Sequence, residues 1–240
     1  MLREVYHGLD MLSVEYPYLT ERQHHENYIL RQFFEKDDDL VKVHSPIAYL
    51  VTANKGLEPY ANSSEVQSTT SQELPDLGPL NSLSYFFEKN IYLNENNFPY
   101  NENVKILGPD FLPQVHTAIE VNNGINGGSA RLDQDIYGRS LIMAFASALG
   151  QARLNYGPDV SGVLPKPITL HFINTTGKKF HFSVFQLNTL DLNGDIKNIF
   201  WHDTAITNMF EECRYIDAKP VLEGYNHNVF NNILAMYMQK

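Results

Sequence analysis

Apolar positions recur along this chain with two different periods, and the change of period marks its elements. From Asp135 to Asn155, Leu141, Phe145, Ala148, Leu149 and Ala152 stand at i, i+4, i+7, i+8 and i+11. That spacing is one apolar face of an amphipathic helix. Asp133 or Asp135 can cap its start, and Gly157-Pro158 stops it. Asn228–Met238 carries Phe230, Ile233, Leu234 and Tyr237 on one face and predicts a closing helix. Near the other end, Thr20-Glu21-Arg22-Gln23 reads as a capping box, followed by Ile29, Leu30, Phe33 and Phe34 at helical spacing. A third helix is therefore expected to reach Lys36, where Asp37-Asp38-Asp39 oppose the negative C-terminal dipole.

Elsewhere the period falls to two. Pro167–Asn174 and Lys178–Asn188 are apolar arms flanking Thr175-Thr176-Gly177. A three-residue loop with Gly177 in its left-handed position sets Asn174 against Lys178 and His171 against His181. This register gathers Ile168, Leu170 and Phe172 with Val184, Phe182 and Phe180 on one apolar face, and a one-residue slip would mix the faces. Asn193-Gly194 predicts a turn, Lys197–His202 a third strand, and Ile47–Thr52 after Pro46 a short buried strand. Asn54–Leu83, with Ser63-Ser64, Ser68-Thr69-Thr70-Ser71 and three prolines, reads as a loop or linker. Tyr85-Phe86-Phe87 and Ile91-Tyr92-Leu93 are expected to dock as extended segments, and Asn122-Asn123-Gly124 with Gly127-Gly128 to form a further loop. The sum is an α+β fold: an antiparallel sheet packed by amphipathic helices, with an irregular, loop-rich N-terminal half.

Composition narrows the class. The 240 residues are 43% hydrophobic and 12% aromatic, a globular balance. No apolar run approaches the roughly 18 residues of a membrane span. The single cysteine, Cys213, excludes an internal disulfide and a Cys-rich zinc site, and it fits a reducing compartment. The net charge of −10 is held entirely by residues 1–130, with 8 basic and 18 acidic side chains; residues 131–240 carry 10 of each. Phosphate binding needs Lys and Arg, so the acidic half is a poor nucleic-acid surface, and protein partners are expected. The opening residues include Glu4, Asp10 and Glu15, unlike an acid-poor presequence or an apolar signal core.

Candidate chemistry is sparse. His171 and His181, placed across from each other, could share a metal, but spacing fixes no third ligand. Two half-exposed histidines on a sheet face is the commoner arrangement. His24-His25 and His202-Asp203 are adjacent pairs whose side chains diverge. No Gly-x-Ser-x-Gly elbow, phosphate loop or zinc helix signature occurs. Cys213 follows Glu211-Glu212, which disfavours a thiolate. Asn62-Ser63-Ser64 fits the glycosylation pattern. No catalytic, cofactor or metal residue is assigned. The candidate contacts are Arg131, Arg139 and Arg153 on or beside the long helix, the Lys178-Lys179 doublet, and Trp201, a lone anchor between Phe200 and His202. A solvated helix face is the plainer reading of the three arginines.

Three ordered segments resemble one family of mitochondrial ribosomal proteins. They are Arg131–Gly157 (RLDQDIYGRSLIMAFASALGQARLNYG), Lys166–Asn193 (KPITLHFINTTGKKFHFSVFQLNTLDLN) and Lys197–Asp203 (KNIFWHD). The family contains mitochondrial large-subunit protein thirty-seven and its paralogue, protein thirty or programmed cell death protein nine. The run AFASALGQARLNYG is closer to the thirty-seven branch. The likeness covers residues 84–240 as one continuous domain; residues 1–83 form a less similar acidic part with a linker. The resemblance implies a structural constituent of the mitochondrial large ribosomal subunit, without catalysis or cofactor. It further implies a matrix location, no membrane, a heterodimer with the paralogue, other large-subunit proteins as neighbours and limited rRNA contact. Family members are longer, so the chain is expected to match their C-terminal part. The resemblance also places glutamine at His171 and His181, which weighs against a matrix or cytosolic enzyme or adaptor using that pair.

Overall fold

The structure, a computed structural model, describes residues 2–36, 39–74, 84–87, 112–121, 133–204 and 206–240. Helix α1 (Leu2–Asp10) and two 3₁₀ turns lead into strands β1 (Gln23–Lys36) and β2 (Asp39–Ala53). After helix α2 (Ser63–Ser68) come β3 (Ser84–Phe87), β4 (Gln114–Val121) and helix α3 (Asp133–Tyr156). Strands β5 (Val163–Thr175), β6 (Lys179–Thr189), β7 (Ile199–His202) and β8 (Thr207–Asn208) follow. A separate hairpin, β9 (Glu212–Ile216) and β10 (Lys219–Glu223), precedes helix α4 (His227–Tyr237). The α+β class and the two C-terminal helices stand as predicted. Among the described residues, no helix is long and apolar enough to cross a membrane.

The main sheet runs β1-β2-β4-β5-β6-β7, with β3 beside β2 and β8 beside β6. It is mixed rather than purely antiparallel, because β4 and β5 are parallel. A parallel pair needs a long crossover, and the 24 residues of α3 lie within this one. That helix covers one face of the sheet. Met143, Ala144, Phe145, Ala148, Leu149 and Ala152 pack there against Leu30, Phe34, Val41, Leu170, Phe172, Phe185 and Leu187. The opposite face is covered by α1 and α4. Tyr6, Leu9, Val229, Ile233 and Tyr237 pack there against Tyr49, Val51, Ile119, Ile173, Phe180 and Phe182. A sheet buried on both faces explains why β4 is buried along six consecutive residues.

Residues 23–36 are a strand, not the helix that the spacing of Ile29, Leu30, Phe33 and Phe34 predicts. Alternation decides it: Leu30, Gln32 and Phe34 turn toward α3, and the strand pairs with β2 from Gln23↔Thr52 to Lys36↔Asp39. A full ladder of cross-strand pairs outweighs local helix propensity. Thr20 does not cap a helix; its hydroxyl donates to the Pro17 carbonyl within a 3₁₀ turn, 2.7 Å away. The long hairpin puts regular structure at residues 23–53, ahead of the stretch predicted to be loop-rich. Residues 54–74 are mostly loop, as the sequence predicts, around the short helix α2. Asn62 caps α2 by accepting from the Ser64 and Glu65 amides, while the Glu65 carboxylate accepts from the Asn62 amide at 2.7 Å. Ile91–Leu93 and the glycines at 124, 127 and 128 lie outside the described residues.

The β5–β6 register differs from the predicted one by three residues. Asn174 faces His181, and Thr175 faces Phe180. The loop is Gly177-Lys178, with Gly177 at φ +88, the first central position of a two-residue turn. Because the shift is odd, it exchanges faces. Ile168, Leu170 and Phe172 now run beside Leu187, Phe185 and Ser183, under α3. The prediction assumed one apolar face, whereas both faces are buried here.

Candidate functional site

The corrected register separates the two histidines of the candidate metal pair. His171 faces Val184, and His181 faces Asn174, on opposite sides of the sheet. The geometric basis for a shared ion is therefore gone. Among the described residues, no three metal-ligating side chains are grouped to hold an ion.

Each imidazole instead joins its own buried cluster. His181 packs edge-on against Tyr137 of α3 at 4.5 Å between ring centroids, with His202 at 5.8 Å. Burial, aided by His202, lowers its pKa to about 4. His171 lies on the α4 side. Its Nε2 is 3.3 Å from the Tyr60 hydroxyl, and its ring meets His116 at 5.2 Å. Burial lowers the His171 pKa to about 4, with the Gln239 amide opposing and the Arg22 charge adding. Burial likewise holds His116 well below the usual histidine range, helped by Arg22 and His171.

A β-bulge puts His116 there. Thr52 pairs with Val115 but Val51 pairs with Thr117, so His116 is the extra residue of β4. A bulge re-aims a side chain, and here it turns the imidazole toward the end of the chain. His116 Nε2 lies 3.1 Å from the Gln239 carbonyl, to which the Arg22 guanidinium also donates. Tyr60 donates to the Gln239 side chain at 2.5 Å. The cluster thus ties the C-terminus to β4, β5 and the segment before α2. Its rings are neutral and its bonds are internal, which suits a structural joint. Periodicity gave no signal for it, because a bulge has no period.

The five candidate contact residues that are described do not form one patch. Arg139 is not on a solvated face. Its guanidinium pairs with the Glu120 carboxylate and donates to the Ser45 hydroxyl at 2.8 Å; the side chains of Arg139 and Glu120 are only 10% and 4% exposed. Arg153 donates to the Gln32 side chain at 2.9 Å, joining α3 to β1, and burial lowers its pKa. Lys178 donates to the Glu211 carbonyl and lies over the Phe210 ring at 5.7 Å. Lys179 is exposed at the start of β6. Arg131 lies outside the described residues. Two of the arginines therefore serve the fold, a role that sequence spacing could not separate from surface contact.

Trp201 also lies at the surface. It sits on edge strand β7, 36% exposed, with its ring 5.9 Å from Tyr60. A groove of about 340 Å³ runs beside it, lined by Trp201, Phe200, Ile199, Leu74, Lys197 and Glu65 among others. The floor is rigid. The Lys197 amide donates to the Thr69 hydroxyl at 3.0 Å, and Gln186 holds both backbone groups of Ala61 at 2.8 and 3.2 Å. The groove has mixed character, with an apolar strip and one cation beside one carboxylate. It suits a protein segment better than a phosphate backbone, which needs convergent cations.

No family model matches the chain. Among curated proteins, it is 27% identical to large ribosomal subunit protein mL37 of Gallus gallus over 248 aligned positions, covering 99% of this chain and 56% of the relative. It is 28% identical to large ribosomal subunit protein mL37 of Rattus norvegicus over 234 positions, 94% of this chain and 54% of the relative. The protein of the same name from Bos taurus is 28% identical over 235 positions, with the same coverage. The chain spans about half the length of the curated relatives it matches. The likeness read from the three segments is thus borne out, and it extends over nearly the whole chain.

Proposed function

We propose that this protein is a structural constituent of the mitochondrial large ribosomal subunit, retained mainly by protein contacts and without catalysis of its own. The observation that carries this reading is the match to mL37 proteins across 94–99% of the chain. The geometry supports it. His171 and His181 are parted by the sheet, and burial lowers the pKa of His171, His181 and His116. Arg139 and Arg153 bind Glu120 and Gln32 inside the fold, leaving little convergent positive charge for rRNA. The Trp201 groove is the surface we assign to a neighbouring large-subunit protein, and pairing with the paralogue is one form this contact takes.

Sedimentation tests the reading. Mitochondrial lysate is separated on a gradient, and this protein is located by mass spectrometry across subunit and soluble fractions. Recovery with the large subunit that persists in moderate salt is expected, since apolar contacts are screened far less than exposed charge pairs. Recovery in the soluble fraction alone would overturn it.

A further inference from the structure

Between β8 and α4 the chain leaves the sheet as a hairpin of its own. Strands β9 and β10 pair from Glu212↔Glu223 to Ile216↔Lys219 and join no other strand among the described residues. Every residue from 211 to 225 is exposed. The turn is Asp217-Ala218, at φ +50 and +61, the two left-handed positions of a type I′ turn. Two consecutive non-glycine residues in that region are costly, so the turn is a specified feature rather than slack chain.

The hairpin is firmly planted. Met209 at its base is buried in the core with α1 and α4. The Met209 amide donates to the Lys178 carbonyl at 2.7 Å, and the Asn226 amide donates to the Met209 carbonyl at 2.7 Å. The Glu211 amide closes the stem on the Glu223 carbonyl at 2.9 Å.

Alternation sorts the arms into unlike faces. On one face Arg214 pairs with Glu212 at 2.8 Å and Glu223 at 3.5 Å, with Lys219, Ile216 and Val221 beside them in register. The other carries Cys213, Tyr215, Pro220 and Leu222, with Tyr215 75% exposed. A lone two-stranded hairpin is marginal in water, and an uncovered apolar face on a rigid stem marks an interaction site.

Charge selects the occupant. Over the hairpin as a whole, Glu211, Glu212, Asp217 and Glu223 outnumber Arg214 and Lys219. Nucleic acid would meet a carboxylate rim, and a second copy would bring the same rim and another net charge of −10. We propose that the β9–β10 hairpin docks through Tyr215 and Leu222 into an apolar socket rimmed by lysine and arginine on a different protein. The proposal rests on the hairpin alone and stands apart from the ribosomal reading. Tyrosine is a typical anchor residue, and the acidic rim accelerates encounter with a basic surface.

The test places a photoreactive benzoyl-phenylalanine at position 215 of the protein expressed in mitochondria, followed by irradiation and mass spectrometry of the crosslinked peptides. The expected product is a peptide of another protein with Lys or Arg flanking the crosslink. Its yield should fall at least tenfold with Leu222→Ser, and comparably with the double change Glu212→Lys and Glu223→Lys. Melting temperature checks that these exposed substitutions leave the fold intact. A crosslink to RNA, to this same chain, to a peptide without basic flanks, or none at all would overturn the proposal. A crosslink unaffected by the charge reversals would also overturn it. Sedimentation with the large subunit is scored separately, so failure of one reading is distinguishable from failure of the other.

Discussion

Replacing Glu120 by alanine is the most informative perturbation of the fold. Glu120 lies on β4, buried, and accepts from two sides: from Arg139 Nε of α3 at 2.6 Å, and from the Asn174 amide of β5 at 2.9 Å. Ser45 of β2 completes the group by accepting from Arg139 at 2.8 Å. Four elements therefore meet on one carboxylate–guanidinium pair. Alanine would leave a guanidinium buried without its counter-charge and an amide without its acceptor. Breaking one half of a buried pair costs roughly 3–5 kcal/mol, most of it the stranded charge. That is a large part of the roughly 5–15 kcal/mol that holds a domain folded. At about 2–4 °C per kcal/mol for a chain of this size, the melting temperature should fall by about 6–20 °C. Urea unfolding followed by the fluorescence of Trp201, the single tryptophan, measures the same loss at equilibrium. The double variant Glu120→Gln with Arg139→Met removes both charges, and it should recover a substantial part of the loss. A loss under about 1 kcal/mol for Glu120→Ala would match an exposed ion pair and refute the buried joint.

Three further outcomes follow from the same structure. His171 binds its proton less readily folded than unfolded, its pKa lowered from 6.5 to about 4. Its contribution is therefore fully present above pH 6.5 and is lost as pH falls toward 4, amounting to about 3 kcal/mol across that window; His171→Gln should flatten the stability curve there, and an unchanged slope in urea titrations at stepped pH would count against it. Gly177→Ala forces a side chain to φ +88 with no atom within 4 Å of the new Cβ, so the cost is conformational alone, about 1–2 kcal/mol, read as a melting shift of about 2–8 °C. Trp201→Ala should leave melting nearly unchanged while weakening retention on the large subunit at raised salt, at a cost above about 1 kcal/mol if it is an anchor; undiminished recovery would remove the groove from the interface.

The elements with long, unambiguous periods are legible in the sequence. The positions of α3 and α4, the stop at Gly157-Pro158 and the strands on either side of Gly177 match the sequence reading, although residues 143–152 of α3 are buried all round rather than on one face. The ribosomal likeness was legible for a different reason, since three ordered segments carried it without any structural argument. Residue type also singles out Trp201 as a core or interface anchor, and the structure leaves it 36% exposed on β7.

Tertiary structure decided the rest, and in each case the cause is a partner distant in the chain. The spacing of Ile29, Leu30, Phe33 and Phe34 fits a helix or a strand, and only pairing with β2 selects the strand. Burial cannot choose the β5–β6 register when both faces are covered, by α3 on one side and by α1 and α4 on the other. That register in turn decides that His171 and His181 never meet. The bulge that aims His116 at the C-terminus depends on how β2 and β4 pair. Arg139 is written in sequence as a helix cation, and it becomes an internal counter-ion only because the crossover lays α3 over Glu120. Periodicity along a chain reports what one element needs to bury; which element buries it, and in what register, is settled by free energies that exist only after distant segments meet.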